Sequence, residues 1–366
     1  MSGILQKYAA LLTHYCLRVA PGDKVFISTT TLAEPLLREV YREVLAAGAT
    51  LVEYELAFRE RDLIFLENAS TQALQTPPTL NKLAMESFDC YLAIRAPFNL
   101  REMQNAPGDS AKIRQEALAP VNKAYFERTA DRRLRRNLCQ YPTDAAAQEA
   151  GMSLSEYEHF VFGACKLFEA DPMQAWMQVR AAQQRIVDHL NACSTVRYMS
   201  DGTDITFSTK GRIWMNSDGQ TNMPSGEVYT SPVENSVNGA VHFSYPCIYQ
   251  GNEVEGVTLW VKDGLIEKWE ARRGQEFLDR IFQIDGTRRF GEAAIGTNYD
   301  INRMTKNILF DEKIGGTIHM AIGQSYLQTG GKNESTVHWD MITDMTRGGE
   351  ITADGALIYK DGKFLI

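Results

Sequence analysis

The residues best suited to chemistry lie in the second half of the chain. Of six histidines, His319 and His338 fall close together in glycine-rich or acid-flanked stretches, and they accompany Glu227, Glu292, Glu312 and Asp340. His338-Trp339-Asp340 is the sharpest local feature. In a strand, residues i and i+2 share a face, so this imidazole and carboxylate converge on one point, as chelation of a divalent cation requires. Such a pair is also ordinary polar strand surface, so alone it defines no site. Glu227 follows Pro224 and Gly226, which predict a tight loop that delivers its carboxylate at the start of a strand with Val228 and Tyr229 buried. Glu292 is the single acid in FGEAAIG (290–296). Burying it is costly unless a cation or hydrogen bonds compensate. His319 stands in an apolar run behind two glycines, where a histidine is ordinarily a satisfied core residue.

The case is collective. Glutamate, aspartate and histidine without cysteine suit borderline or hard divalent ions such as Zn, Co, Mn, Mg or Fe. A carboxylate-rich set of this size suits two ions about 3.5–4 Å apart with one carboxylate between them. HExxH, GxSxG and P-loop signatures are absent from the sequence. The six cysteines (Cys16, Cys90, Cys139, Cys165, Cys193, Cys247) form no CxxC pair. They read as buried reduced thiols, which fits a reducing, cytoplasmic setting and argues against cysteine ligation.

The elements that must position these groups fall into two styles. In the first half, residues 23–28, 50–55 and 89–95 read as strands, and 34–47 as a helix closed by Gly48. Strand, helix, strand predicts a right-handed βαβ unit in a parallel sheet, a Rossmann-like pattern. The first strand is not followed by GxGxxG, which argues against a dinucleotide site. Ser153 to Glu156 is a capping box, and Asp171-Pro172 opens a helix to about Asn191, so the domain boundary is expected near residue 190. Beyond it, 196–200 and 204–208 alternate like strands, and Asp263-Gly264 and Asp361-Gly362 read as hairpin turns. The expectation is an α/β N-terminal domain over 1–190 and an α+β C-terminal catalytic domain over 191–366.

A formal charge of −8 argues against a nucleic-acid surface. The one dense basic run, residues 132–136, reads as a solvated face or an intersubunit contact. Ile4, Leu5, Tyr8, Leu11, Leu12, Tyr15 and Val19 recur at helical spacing, predicting an amphipathic helix rather than a secretion signal, and no apolar stretch is long enough to span a bilayer.

Four segments carry a resemblance to a known family: NMPSGEVYTSP (222–232), FGEAAIGTN (290–298), LFDEKIGGTIHMAIGQSY (309–326) and ESTVHWDMI (334–342). They resemble the metal-site blocks of the aminopeptidase T/aminopeptidase S family, and 141–143, 150–157 and the opening pattern ending at 21–25 are similar too. The resemblance spans nearly the whole chain. It implies a Rossmann-like first domain, a homodimer, peptide substrates, and removal of single N-terminal amino acids by metal-activated water. By the same resemblance, Glu227 and His319 hold one divalent ion, His338 and Asp340 another, and Glu292 bridges. Glu312 is a further ligand or the base, and Tyr326 meets the developing oxyanion. One departure stands out. Between Asp311 and His319 this chain runs about two residues longer than many members, which leaves the position and role of Glu312 open. A ring-cleaving dioxygenase of hydroxypyridines with a single Fe(II), held by Glu292, His338 and Asp340, is the rival reading. Glu227 and His319 weigh against it, because one iron needs no second set.

Overall fold

The computed structural model describes residues 2–366. Contacts divide them into two compact units, one up to Ala175 plus Gly219–Pro224, the other Trp176–Asp218 plus Ser225–Ile366. The change-over comes earlier than residue 190. Helix Pro172–Asn191 buries Ile186, Val187 and Leu190 in the core of the second unit, so most of it belongs there.

The first unit carries a five-stranded sheet in the order Leu51–Ala57, Lys24–Thr30, Cys90–Arg95, Arg135–Gln140, Asn222–Met223. Every pairing in it is parallel, as the strand–helix alternation predicts. Helix Glu34–Ala46 is followed by Gly48 at φ 91°, a left-handed position that glycine takes without steric cost. The capping box at Ser153 and Glu156 is present in full. The N-terminal helix Ser2–Ala10 runs on through a π-helical turn, Leu11–Cys16, and buries Leu5, Tyr8, Leu11, Leu12 and Tyr15.

The basic run is not a single face. Leu134 is core, Arg135 lies 2.6 Å from Asp23 and Arg136 donates to Thr221 O and Asn222 Oδ1, because strand formation at Arg135 turns alternate side chains apart. Burial pushes the Cys165 thiol up to about 12, so it is an inert packing group. The described cysteines form no disulfide. No helix among the described residues is long and apolar enough to cross a membrane.

The second unit holds an eight-stranded and a five-stranded antiparallel sheet. The order of the smaller is His338–Asp344, Thr317–Gly323, Phe290–Gly296, Glu227–Thr230, Met215–Ser217. Both sheets contribute to one core, the larger through Tyr198, Phe207 and Leu259, the smaller through Ile295, Ile318, Met320, Ile322 and Met341. Asp263-Gly264 makes its hairpin with both residues at positive φ, 49° and 76°, and Asp361-Gly362 repeats the device at 46° and 82°.

Candidate metal centre

Register explains why the chemistry gathers on one face of the five-stranded sheet. Glu292 and Asp340 both sit opposite Ala321, His338 opposite Gly323, and Glu227 opposite Gly296. Since a strand alternates its side chains, His319, Ala321 and Gly323 point one way while Ile318, Met320 and Ile322 point into the core. Between the chemical groups, the same face carries the small residues Ala294, Gly296, Ala321 and Gly323, with Tyr229 opposite Ala294 and Ile342 opposite His319. Those small residues clear the space that the acids and imidazoles enclose.

Three overlapping donor groups result, each with its ligand atoms within 4.8 Å of one another: Glu227, Glu292 and His319; Glu292, His338 and Asp340; Glu312, His319 and Asp340. Glu292, His319 and Asp340 each belong to two of them. Glu292 Oε1 is 3.9 Å from His319 Nε2 and its Oε2 is 3.1 Å from His338 Nε2. His338 Nε2 is 3.5 Å from Asp340 Oδ2, so the HxD pair does converge. Glu227 Oε2 is 3.3 Å from His319 Nε2, and Glu227 opens its strand as its loop predicts, although Tyr229 is only half-buried and packs edge-on against Tyr326. The Tyr326 hydroxyl is 3.3 Å from His338 Nε2. Glu312 caps the short helix Ile308–Asp311 at its C-terminal end and ion-pairs with Lys313.

The site is largely buried and electrostatically unbalanced. Glu227, Glu292 and His319 are 6%, 3% and 0% exposed, far below what free carboxylates and imidazoles accept in water. Burial lifts the Glu292 and Glu312 carboxyls above their usual range, in spite of nearby cationic groups. Burial acts the same way on Glu227, but Lys313 and His319 outweigh it and hold that carboxyl low. Burial also disfavours charged imidazoles. Even so, Glu227 and Glu292 raise His319 to about 9, and Asp340 and Glu292 raise His338 to about 10. Neither ring nitrogen of His319 makes a hydrogen bond, nor does Asp340 Oδ1. Buried polar atoms are seldom left so, and a cation held by one nitrogen of His319 and by Asp340, which share a donor group, would give them a partner. The donor set fits a divalent metal.

Three supporting residues escaped the sequence reading. Gln183, 1% exposed on helix Pro172–Asn191, donates to Asn216 Oδ1, Ser217 O and Glu227 O, and accepts from Thr297 Oγ1, so one amide ties together three segments around Glu227. Gln324 O lies 2.8 Å from His338 Nδ1, which leaves Nε2 turned to the carboxylates. Lys313 is fully buried beside Glu227 and Glu312. Only Lys313 left a trace in the sequence, as a lone cation inside an apolar run behind two acids.

The geometry thus defines a metalloprotein whose centre is built from imidazoles and carboxylates on one cleared sheet face. The thermophilic metalloprotease (M29) family matches residues 2–364, and the chain belongs to that family. It is therefore a metal-dependent hydrolase. Among its relatives, aminopeptidase 2 of Geobacillus stearothermophilus is 29% identical, with 98% of this chain and 95% of the relative covered. Aminopeptidase PepS of Streptococcus thermophilus is 28% identical over the same shares, 98% and 95%. The solved structure of wild-type AmpT from Thermus thermophilus superposes with a TM-score of 0.86 over 99% of both chains, at 24% identity, and so has the same fold. These relatives are peptidases, and they lend the one-iron oxygenase reading no support.

Proposed function

We propose that this protein is a metallo-aminopeptidase that removes the N-terminal amino acid from peptides, with two divalent ions held by Glu227, Glu292, His319, His338 and Asp340. The observation that carries the reading is that Glu292, buried on this sheet face, turns one oxygen towards His319 and the other towards His338. Divalent ions here (Zn, Co, Mn or Mg) would supply Lewis acidity, polarising a peptide carbonyl and bringing the ionisation of water towards neutrality. The protein's own groups do the rest. Glu312, whose carboxyl burial lifts well above the ordinary range, holds a proton near neutral pH and passes it to the leaving amine. Tyr326, kept as a phenol by burial, donates its hydroxyl hydrogen to the oxyanion of the tetrahedral intermediate. Gln324 O fixes the tautomer of His338, and Gln183 fixes the backbone that carries Glu227.

The parallel sheet of the first unit supports a Rossmann-like scaffold without a dinucleotide cradle. A homodimer in the cytoplasm completes the proposal. The deciding experiment is an aminoacyl-anilide assay on metal-reconstituted protein, with metal content measured on the same sample. Chelation should abolish turnover and Co, Zn or Mn should restore it. Full activity in exhaustively demetallated protein would sink the proposal.

A further inference from the structure

Lys313 is the one group at the centre that the proposed chemistry leaves without a task. Its side chain is wholly buried, and an ammonium is kept in such a place only by close partners. Those partners are Glu312 Oε1 and, at 3.7 Å, Glu227 Oε1. Glu227 is therefore divided. One oxygen faces Lys313, the other faces His319 Nε2 at 3.3 Å.

The backbone makes this placement rigid. Lys313 N–H donates to Phe310 O, and Lys313 O accepts the N–H of Asn298, each at 3.0 Å. Asn298 donates through Nδ2 to Ser225 O, and it packs so closely on Gly226 that a Cβ there would meet its own Cβ at 2.6 Å. Gly226 immediately precedes Glu227, so the loop bearing Lys313 is locked to the strand end bearing Glu227. At the opposite end the situation differs. Among the described residues, no lysine or arginine forms an ion pair with Glu292 or Asp340, whose partners are His319 and His338.

We infer that Lys313 is a positioning residue, which keeps Glu312 out of the metal's ligand set as a free proton carrier and makes the Glu227–His319 end the weaker of two cation sites. The inference rests on the two-metal reading above. A fixed positive charge beside Glu227 competes for the oxygens that a cation would use and repels that cation, whereas the Glu292–His338–Asp340 end feels no such neighbour at contact. It also bears on the two possible roles of Glu312, since an Oε1 that accepts from an immobile ammonium leaves the other oxygen to carry the proton.

The test is calorimetric titration of metal-free protein with Zn, read beside steady-state kinetics. Wild type should bind two ions with unequal affinity. Lys313→Met should tighten the weaker site by about tenfold or more. It should also lower kcat by about 10²-fold with KM little changed, since Glu312 loses its anchor. Lys313→Arg, which keeps the charge, should restore the inequality and part of kcat. Unchanged affinities at both sites in Lys313→Met would overturn the inference. Should that variant not fold, Glu312→Gln decides. Two ions still bound, with kcat reduced, supports the inference, and loss of an ion overturns it by making Glu312 a ligand. A wild type that takes up no zinc, or cleaves no aminoacyl-anilide, fails the functional proposal itself. A wild type that does both, beside an indifferent Lys313→Met, fails only this inference.

Discussion

The two faces of the five-stranded sheet are made by the same strands and serve opposite ends. On one, Ile295, Ile318, Met320, Ile322 and Met341 lie in the core of the second unit. On the other, Glu227, Glu292, His319, His338 and Asp340 surround a space kept clear by alanine and glycine. The first face is satisfied as it stands, since apolar side chains ask only to leave water. The second holds buried acids and imidazoles with orphaned atoms, a state that costs free energy until something cationic arrives. Strand periodicity lets one segment, 317–323, contribute to both, so stability and chemistry can be varied independently by changing odd or even positions.

That separation can be broken experimentally, and the largest effect should come from the shared carboxylate. Glu292→Ala should lower kcat/KM by about 10³-fold or more, because on the proposed two-metal reading both cations would lose a ligand and their Lewis acidity with it. His319→Ala should reduce metal content from two ions towards one, measured by elemental analysis. One ion in both wild type and His319→Ala, with oxygen consumption on a dihydroxypyridine, would reinstate the oxygenase.

The opposite face should answer in a different measurement. Ile318→Ala removes a fully buried side chain and should cost about 2–5 kcal/mol of unfolding free energy, read by denaturant titration, while metal stoichiometry stays the same. Loss of metal in this variant would mean the faces are not separable. Gln183→Leu probes the link between them. It leaves the helix packed but unties Glu227, and should weaken metal binding by about 10- to 100-fold while also lowering the unfolding midpoint, since buried acceptors lose their donor.

The last expected effect is that of pH on metal uptake. In the metal-free cluster His319 and His338 titrate at about 9 and 10, because their carboxylate neighbours outweigh the penalty of burial. A ligating imidazole must be neutral, so binding at pH 7 expels these protons. Affinity should therefore rise with pH up to about 9, by about tenfold per unit for each proton displaced, and binding should release acid. Affinity that is flat between pH 6 and 9, or falls as pH rises, would contradict the cluster's charge balance.

How far the sequence carries towards this site depends on the range of the forces involved. Glu292 was visible because an acid in an apolar run has no cheap explanation, and the HxD pair because strand periodicity is local. The parallel sheet was legible from the alternation of elements, and the hairpins from Asp-Gly. What stayed hidden is relational. Nothing local says that Ala321 will lie between Glu292 and Asp340, since register is set by pairing across strands distant in sequence. His319 read as an ordinary core histidine and is as buried as one, yet it has no hydrogen bond. Gln183 is one polar residue among many on an amphipathic helix, and only the fold reveals that it meets three segments. The division at Ala175 was hidden for the same reason, because a helix's allegiance is decided by which core receives its apolar stripe.

The scattering of the donors along the chain also bears on how the protein comes to hold its metal. Only His338 and Asp340 are near neighbours in sequence; Glu227, Glu292 and His319 meet them through antiparallel pairing of separate strands. An unfolded chain offers a cation no comparable cluster, so the ion is a ligand of the native state almost alone. Its binding then acts by mass action on the folding equilibrium, and thermal resistance becomes a function of free metal, about 2.7 kcal/mol for a site at a hundredfold excess over its dissociation constant. Scarcity of the ion would thus register first as a shorter-lived protein, and only afterwards as a slower one.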